Sequence, residues 1–210
     1  MAANDIVLYH HPWSRSAGVR ILLEALGVAY RIEHVDIQAG QQRDPAFLAV
    51  NPMGKLPALV HDGAVVTEQV AIFIHLADAF PAAALAPAIG DPLRGPYLRW
   101  MAFYGAAFEP AVVDRAKQRP PLDRSTSPYG DYESMIATLA AQLGRGDYIL
   151  GDRLTAADIL WGTGLRWTTG FGLVEATPVL RAYIDRVTAH PAFARAAELD
   201  APLVPATAEE

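Results

Sequence analysis

Two short polar clusters in this 210-residue chain are typed and spaced for chemistry. The first is Pro12-Trp13-Ser14-Arg15-Ser16, at the start of a predicted helix. A helix start presents unpaired amides and the positive end of the macrodipole, so a hydroxyl there faces a place that favours an anion. The plain alternative for Ser14 is an N-cap, worth about 1 kcal/mol. The second cluster is Glu68-Gln69, an acidic-polar pair directly ahead of another helix. An acidic residue suits the dipole of that helix in any case. Ahead of this pair, residues 51–57 form a loop that ends at Pro57, and β-like runs follow at 58–61 and 64–66. Asp62-Gly63 between the runs is a hairpin signal, because both turn positions need φ > 0. A proline can open a strand only where no ladder donor is needed. Backbone edges and a helix start are thus held out for a small peptide-like ligand.

The elements that must position these groups can be read along the chain. Residues 6–9 are a short apolar run. Val19, Leu22, Leu23 and Leu26 share one face of a helix beginning near Ser14, and Gly27 closes it as a C-cap. Residues 30–37 read as a strand with Ile32, Val35 and Ile37 as its apolar members. Asp44-Pro45 begins a short helix carrying Phe47, Leu48 and Val50. The hairpin and a helix from about 69 to 79 complete a β-α-β-α-β-β-α order. A strand-helix-strand start implies a parallel pair, and the hairpin adds an antiparallel edge. The segment 80–96 is rich in Pro, Ala and Gly. Helical stretches follow at 92–117, 129–144, 155–169 and 177–188, with a short one from 191. The predicted domains are therefore 1–81, a linker at 82–91, and an all-α domain at 92–210. Residues 118–128 form a polar, proline-rich loop, and the tail after Pro202 is expected to be loose. Leu154 to Ile159 is a capping box, with Thr155 as N-cap, Asp158 reaching back, and Leu154 and Ile159 as a hydrophobic staple.

The totals exclude several classes. A net charge of -6, with no basic run, argues against a nucleic-acid partner. With no cysteine, the chain has no disulfide, thiolate metal site or cysteine nucleophile. No apolar segment reaches the roughly 18 residues of a membrane span. The first residues lack the features of a signal peptide, so a cytoplasmic location is expected. His10 and His11 follow the first strand and flank the site. Neither is spaced to a second ligand, so no metal is expected. His75 reads as a helix-packing residue.

Residues 51–81 resemble the glutathione-binding half of the glutathione transferase family. The matching residues are Asn51-Pro52, Gly54-Lys55, Leu56-Pro57, Leu59, Asp62-Gly63, Thr67-Glu68, Ala71-Ile72 and Leu76-Ala77. The capping box at Thr155–Asp158 resembles that of the family's helical domain. The resemblance implies an N-terminal thioredoxin-like domain followed by a helical bundle, a homodimer, and glutathione as substrate or cofactor.

It also implies residue roles. Ser14, by its spacing to the helix end at Gly27, matches the catalytic serine, and Ser16 is the second candidate. Redox relatives carry Cys-x-x-Cys at this turn; Ser14 and Ala17 stand there here, so disulfide chemistry is excluded. The serine would donate a hydrogen bond to the glutathione thiolate. Lowering a thiol pKa from near 8.5 to about 6.5 takes roughly 2.7 kcal/mol. A charge-assisted hydrogen bond supplies about 1.5–3 kcal/mol and a helix start about 0.3–1 kcal/mol. Leu56, before a cis Pro57, would pair its backbone with the cysteinyl part of the ligand. Lys55 would meet the glycyl carboxylate and Glu68 the γ-glutamyl α-amino group. Gln69 stands where the family has serine, and its amide would donate to the α-carboxylate. His11, Tyr104 and Phe108 would line the electrophile pocket, although aromatics at helical spacing are commonly core. The implied activity is transfer of glutathione to a small hydrophobic electrophile. The alternatives are a glutathione-dependent isomerase of the maleylacetoacetate type and a non-catalytic binding or regulatory protein.

Overall fold

The computed structural model describes residues 5–120 and 122–204. The chain divides into two compact units, residues 1–83 with 191–210, and residues 84–190.

The first unit is built on a four-stranded sheet in the order β2-β1-β3-β4. β1 (Ile6–His10) pairs in parallel with β2 (Arg31–His34) and antiparallel with β3 (Ala58–His61), which pairs antiparallel with β4 (Ala64–Thr67). Helix α1 (Ser16–Leu26) makes the crossover, and Gly27 caps it in the left-handed region at φ 67°, donating to the carbonyls of Leu23 and Glu24. The hairpin turn has positive φ at both Asp62 (49°) and Gly63 (83°), the conformation a two-residue turn of this kind requires. β2 is shorter than the run 30–37 predicts. Asp36 ends it by accepting the backbone N–H groups of Gln38 and Ala39, a local turn that competes with the ladder.

Alternation along β1 and β3 gives the sheet two apolar faces. Ile6, Leu8 and Leu59 are buried together with Val19, Leu22 and Leu23 of α1 and with Ile72, Phe73 and Leu76 of α3 (Gln69–Ala79). Val35, Phe47 and Ala58 form a second cluster, with Tyr9, Val50 and Leu56 packed on it. Phe47 sits on α2 (Pro45–Leu48), its ring edge-on to Tyr9 at 5.6 Å. Each such buried side chain is worth about 1.5–3 kcal/mol.

The second unit holds α4 (Arg94–Phe103), a π-helical turn (Tyr104–Phe108), α5 (Glu109–Ala116), α6 (Tyr132–Leu143), α7 (Ala156–Gly170) and α8 (Pro178–Thr188). The single stretch predicted over 92–117 is thus interrupted. Pro110 has no N–H for the carbonyl of Ala106, and the widened turn accommodates it. Trp161 is the centre of the core, 5.1 Å from the Tyr104 ring, 5.0 Å from Phe108 and 6.0 Å from Trp100, whose carbonyl accepts its indole N–H. The capping box forms as expected, and Asp158 does more than cap. Its buried carboxylate accepts from the backbone of Ile149 and Thr155 and from the hydroxyls of Thr155 and Tyr183, at 2.7–2.9 Å. Burial pushes its pKa up against the pull of those donors.

α9 (Pro191–Asp200) falls in the first unit, whereas the sequence reading assigned 191–210 to the helical domain. The helix buries Ala192, Phe193 and Ala196 and also makes two charge pairs to α1. Arg195 pairs with Glu24 at 3.5 Å, and Asp200 pairs with Arg20. A short 3-10 turn follows at Ala201–Leu203, and the rest of the predicted loose tail lies outside the described residues. Among the described residues, no helix is long and apolar enough to cross a membrane.

Candidate functional site

The register of the sheet assembles the site. Tyr9 pairs with Ala58, and Ala58 pairs with Thr67. The residues just beyond these pairs therefore emerge at one end of the sheet. They are His10, the last residue of β1, with His11 to Ser16 after it, Leu56-Pro57 before β3, and Glu68-Gln69 after β4. The Leu56-Pro57 bond is cis. The preceding loop is tied by Asn51, whose side chain donates to the Lys55 carbonyl at 2.8 Å and accepts from the Met53 amide at 3.1 Å. Gly54 is required there: its φ is 60°, and a Cβ would stand 2.8 Å from the Gln42 carbonyl. Pro57 is buried, Leu56 half-buried and Lys55 exposed.

The turn into α1 holds both serines. The N-cap of α1 is Arg15, which makes no side-chain cap. Ser14 is half-buried. Its Oγ lies 2.6 Å from Ser16 Oγ, donates to the His11 carbonyl at 2.9 Å and accepts the Ser16 amide at 3.2 Å. Ser16 is fully buried. Its Oγ lies 2.8 Å from His10 Nδ1, and it accepts the His11 amide at 3.1 Å.

Beyond His10 the polar chain continues. His10 Nε2 lies 2.8 Å from Asp200 Oδ1, and Arg20 binds the same oxygen. Arg20 Nε donates to the Tyr30 hydroxyl at 3.3 Å, and that hydroxyl donates to Glu24 at 2.5 Å. Burial pushes the Asp200 carboxyl up, but His10 and Arg20 outweigh it and hold the pKa below the ordinary carboxylate value. Burial and the Glu24 bond raise the Tyr30 phenol to about 12.

Glu68 stands at φ 64° as the residue before α3, with its side chain exposed. Gln69 is buried. Its Nε2 donates to the Arg15 carbonyl at 3.0 Å, and its Oε1 has no hydrogen-bond partner. The expected donor is therefore engaged within the protein, and a buried acceptor is left over.

The residues expected at an electrophile pocket belong to both units. His11 is buried beside the serines, stacked on His34 at 5.4 Å with its Nδ1 accepting the Trp13 amide. Burial and the neighbouring His34 lower its pKa, which suits that accepting nitrogen. Tyr104 and Phe108 are buried in the core of the second unit against Trp161. Sequence reasoning missed the connection from His10 through Asp200 to Arg20. The partners stand 190 and 180 positions apart, and no local spacing marks them. Among the described residues, no group of three or more His, Cys, Asp or Glu side chains is placed to hold a metal.

Profiles of two domain families match the chain: "Glutathione S-transferase, N-terminal domain" over residues 4–78 and "Glutathione S-transferase, C-terminal domain" over residues 129–186. The chain belongs to the glutathione S-transferase family. Among curated relatives, a maleylacetoacetate isomerase of Pseudomonas aeruginosa is 31% identical over 199 residues, 90% of this chain and 93% of that protein. The glutathione S-transferase GstA of Escherichia coli O157:H7 is 26% identical, over 88% of this chain and 93% of that one. Among solved structures, a sphingomonad glutathione S-transferase complexed with glutathione superposes with a TM-score of 0.76 at 30% identity, over 93% of this chain and 98% of that one. A glutathione transferase from Methylococcus capsulatus superposes with a TM-score of 0.78 at 28% identity, over 94% and 99%. The family fixes the fold of this chain as a thioredoxin-like domain plus a helical domain.

Proposed function

We propose that this protein binds glutathione at the end of the sheet where Ser14, Leu56-Pro57 and Glu68-Gln69 emerge, and activates its thiol for attack on a small hydrophobic electrophile. The observation that carries this reading is the bond from Gln69 to the Arg15 carbonyl, which ties the start of α3 to the start of α1. It holds the acidic Glu68 and the hydroxyl of Ser14 to one neighbourhood. The backbone of Leu56 pairs with the cysteinyl part of the ligand as an added strand. Glu68 takes the α-ammonium of the γ-glutamyl end. Gln69 Oε1, buried without a partner, also suits that ammonium, so Gln69 serves as acceptor and not as donor to the carboxylate. Lys55 is within the loop that faces the glycyl carboxylate.

Between the two serines, Ser14 is assigned to the sulfur. It is the more exposed, while the Ser16 hydroxyl is buried among His10, His11 and Ser14. A hydrogen bond to the thiolate worth about 1.5–3 kcal/mol favours ionisation at neutral pH and fixes the sulfur beside its target. The assembly is inferred to be a homodimer in the cytoplasm.

A second reading is isomerisation of a maleylacetoacetate-like substrate with glutathione returned unchanged. The 31% identity to the Pseudomonas aeruginosa isomerase favours it. Both readings use the same thiolate. A panel of chlorodinitrobenzene, organic hydroperoxides, isothiocyanates and maleylacetone separates them: conjugation consumes glutathione and isomerisation does not. Absence of glutathione binding by calorimetry at millimolar concentration would instead support a non-catalytic relative.

A further inference from the structure

We propose that Ser14, Ser16, His10 and Asp200 form a proton relay that takes the proton of the bound glutathione thiol and stores it on His10. The inference rests on the glutathione reading above. Three consecutive contacts build the path: 2.6 Å from Ser14 Oγ to Ser16 Oγ, 2.8 Å from Ser16 Oγ to His10 Nδ1, and 2.8 Å from His10 Nε2 to Asp200 Oδ1. All are within hydrogen-bond range.

The ionised Asp200 fixes the resting arrangement. It accepts from His10 Nε2–H, so Nδ1 carries a lone pair and accepts the Ser16 proton. Ser16 Oγ then accepts the His11 amide and faces Ser14 as an acceptor. Ser14 gives its proton inward, to Ser16 or to the His11 carbonyl, and turns a lone pair towards the thiol.

The transfer balances. The S–H bond breaks and an O–H bond forms on Ser14. The former Ser14 proton passes to Ser16, and the former Ser16 proton passes to His10 Nδ1. Each hydroxyl ends with one hydrogen. The sulfur gains a negative charge and the imidazole a positive one. Ser14 now holds its hydrogen outward, as donor to the thiolate it has just released. One hydroxyl thus serves as acceptor before the transfer and as support after it.

Arg20 shares Asp200 Oδ1 with His10, so the carboxylate is bound by two partners at once. The other titratable or charged groups around this centre are Glu24 and Tyr30, linked through Arg20, Arg195 on Glu24, His34 paired with His10 across the sheet, and His11 and Asp36.

The test counts protons. The full-length protein is titrated with glutathione at neutral pH. Thiolate is read by its ultraviolet absorbance, and proton release by an indicator in weak buffer. The relay predicts thiolate with no proton released. Release of one proton per thiolate overturns it and leaves Ser14 a simple donor. Ser16→Ala breaks the path but keeps Ser14. It is expected to release about one proton per thiolate and to raise the bound thiol's apparent pKa by about one unit, a tenfold loss of thiolate at neutral pH. Unchanged behaviour of Ser16→Ala also overturns the relay. S-methylglutathione, which has no thiol proton, is titrated in parallel by calorimetry. If it binds but glutathione shows no thiolate, the relay alone fails. If neither ligand binds, the glutathione reading fails and takes the relay with it.

Discussion

The side-chain amide of Gln69 donates to the backbone carbonyl of Arg15 at 3.0 Å, joining the first turn of one helix to the first turn of another. Gln69→Ala removes this tie and frees the start of α3 to shift. The stability cost is about 1 kcal/mol. The KM for glutathione is expected to rise roughly tenfold, in line with the loss of one hydrogen bond to a charged ligand. Steady-state kinetics with each substrate varied in turn checks this. The KM for the electrophile should stay within error, and an equal rise in both would contradict the assignment.

Ser14→Ala removes the hydroxyl that supports the sulfur. The loss in kcat/KM is expected to be roughly tenfold to a hundredfold at neutral pH, from a charge-assisted bond of about 1.5–3 kcal/mol. At alkaline pH the free thiol ionises unaided, so the deficit should shrink. A pH profile of conjugation decides, and a deficit of constant size would remove this role for Ser14.

Asp200 makes the fold sensitive to acid. His10 and Arg20 hold its native pKa below the ordinary carboxylate value of about 3.9 despite burial. In the window between those two values the unfolded chain binds more protons than the native one, so stability rises with pH there. The contribution is complete above the unfolded value and disappears as the pH falls through the native one. Asp200→Asn should be less stable by roughly 3 kcal/mol at neutral pH, because the buried Arg20 guanidinium loses its carboxylate and His10 Nε2 its charged acceptor. Urea unfolding at neutral and acid pH should show the gap to the parent narrowing on acidification.

Gly164 lets the ring of Tyr104 lie on the backbone of α7. A Cβ there would stand 2.5 Å from the Tyr104 hydroxyl oxygen and 2.6 Å from its Cε2, with Trp161 behind the ring. Gly164→Ala is expected to cost about 1–3 kcal/mol by overpacking. Gly170 in the same helix has nothing within 4 Å of a Cβ. Gly170→Ala should be neutral or slightly stabilising, since alanine is the better helix former by up to about 1 kcal/mol. Thermal unfolding of the two variants measures the contrast.

The sequence disclosed the parts of this molecule that are local. The Asp62-Gly63 turn, the Gly27 cap and the Thr155–Asp158 box are each written in a few adjacent residues, and each forms. The ends of the site at Ser14, Leu56-Pro57 and Glu68-Gln69 were legible because the strands that carry them have clear boundaries. What sequence could not reveal is set by tertiary contact. The direction of the Gln69 amide depends on where the Arg15 carbonyl arrives. Tyr104 and Phe108 are pocket expectations at a helical spacing that is more commonly core, and Trp161 packs against both. The break within 92–117 has a local cause in Pro110, an interior proline that breaks a regular helix, so this signal was present in the sequence and was overlooked.

The carboxylate that binds the last residue of the first strand lies 190 positions further along the polypeptide, on α9. During vectorial synthesis, chain segments tend to fold in the order in which they appear. The sheet can therefore gather early, while His10 waits for its partner until the whole helical unit has been made.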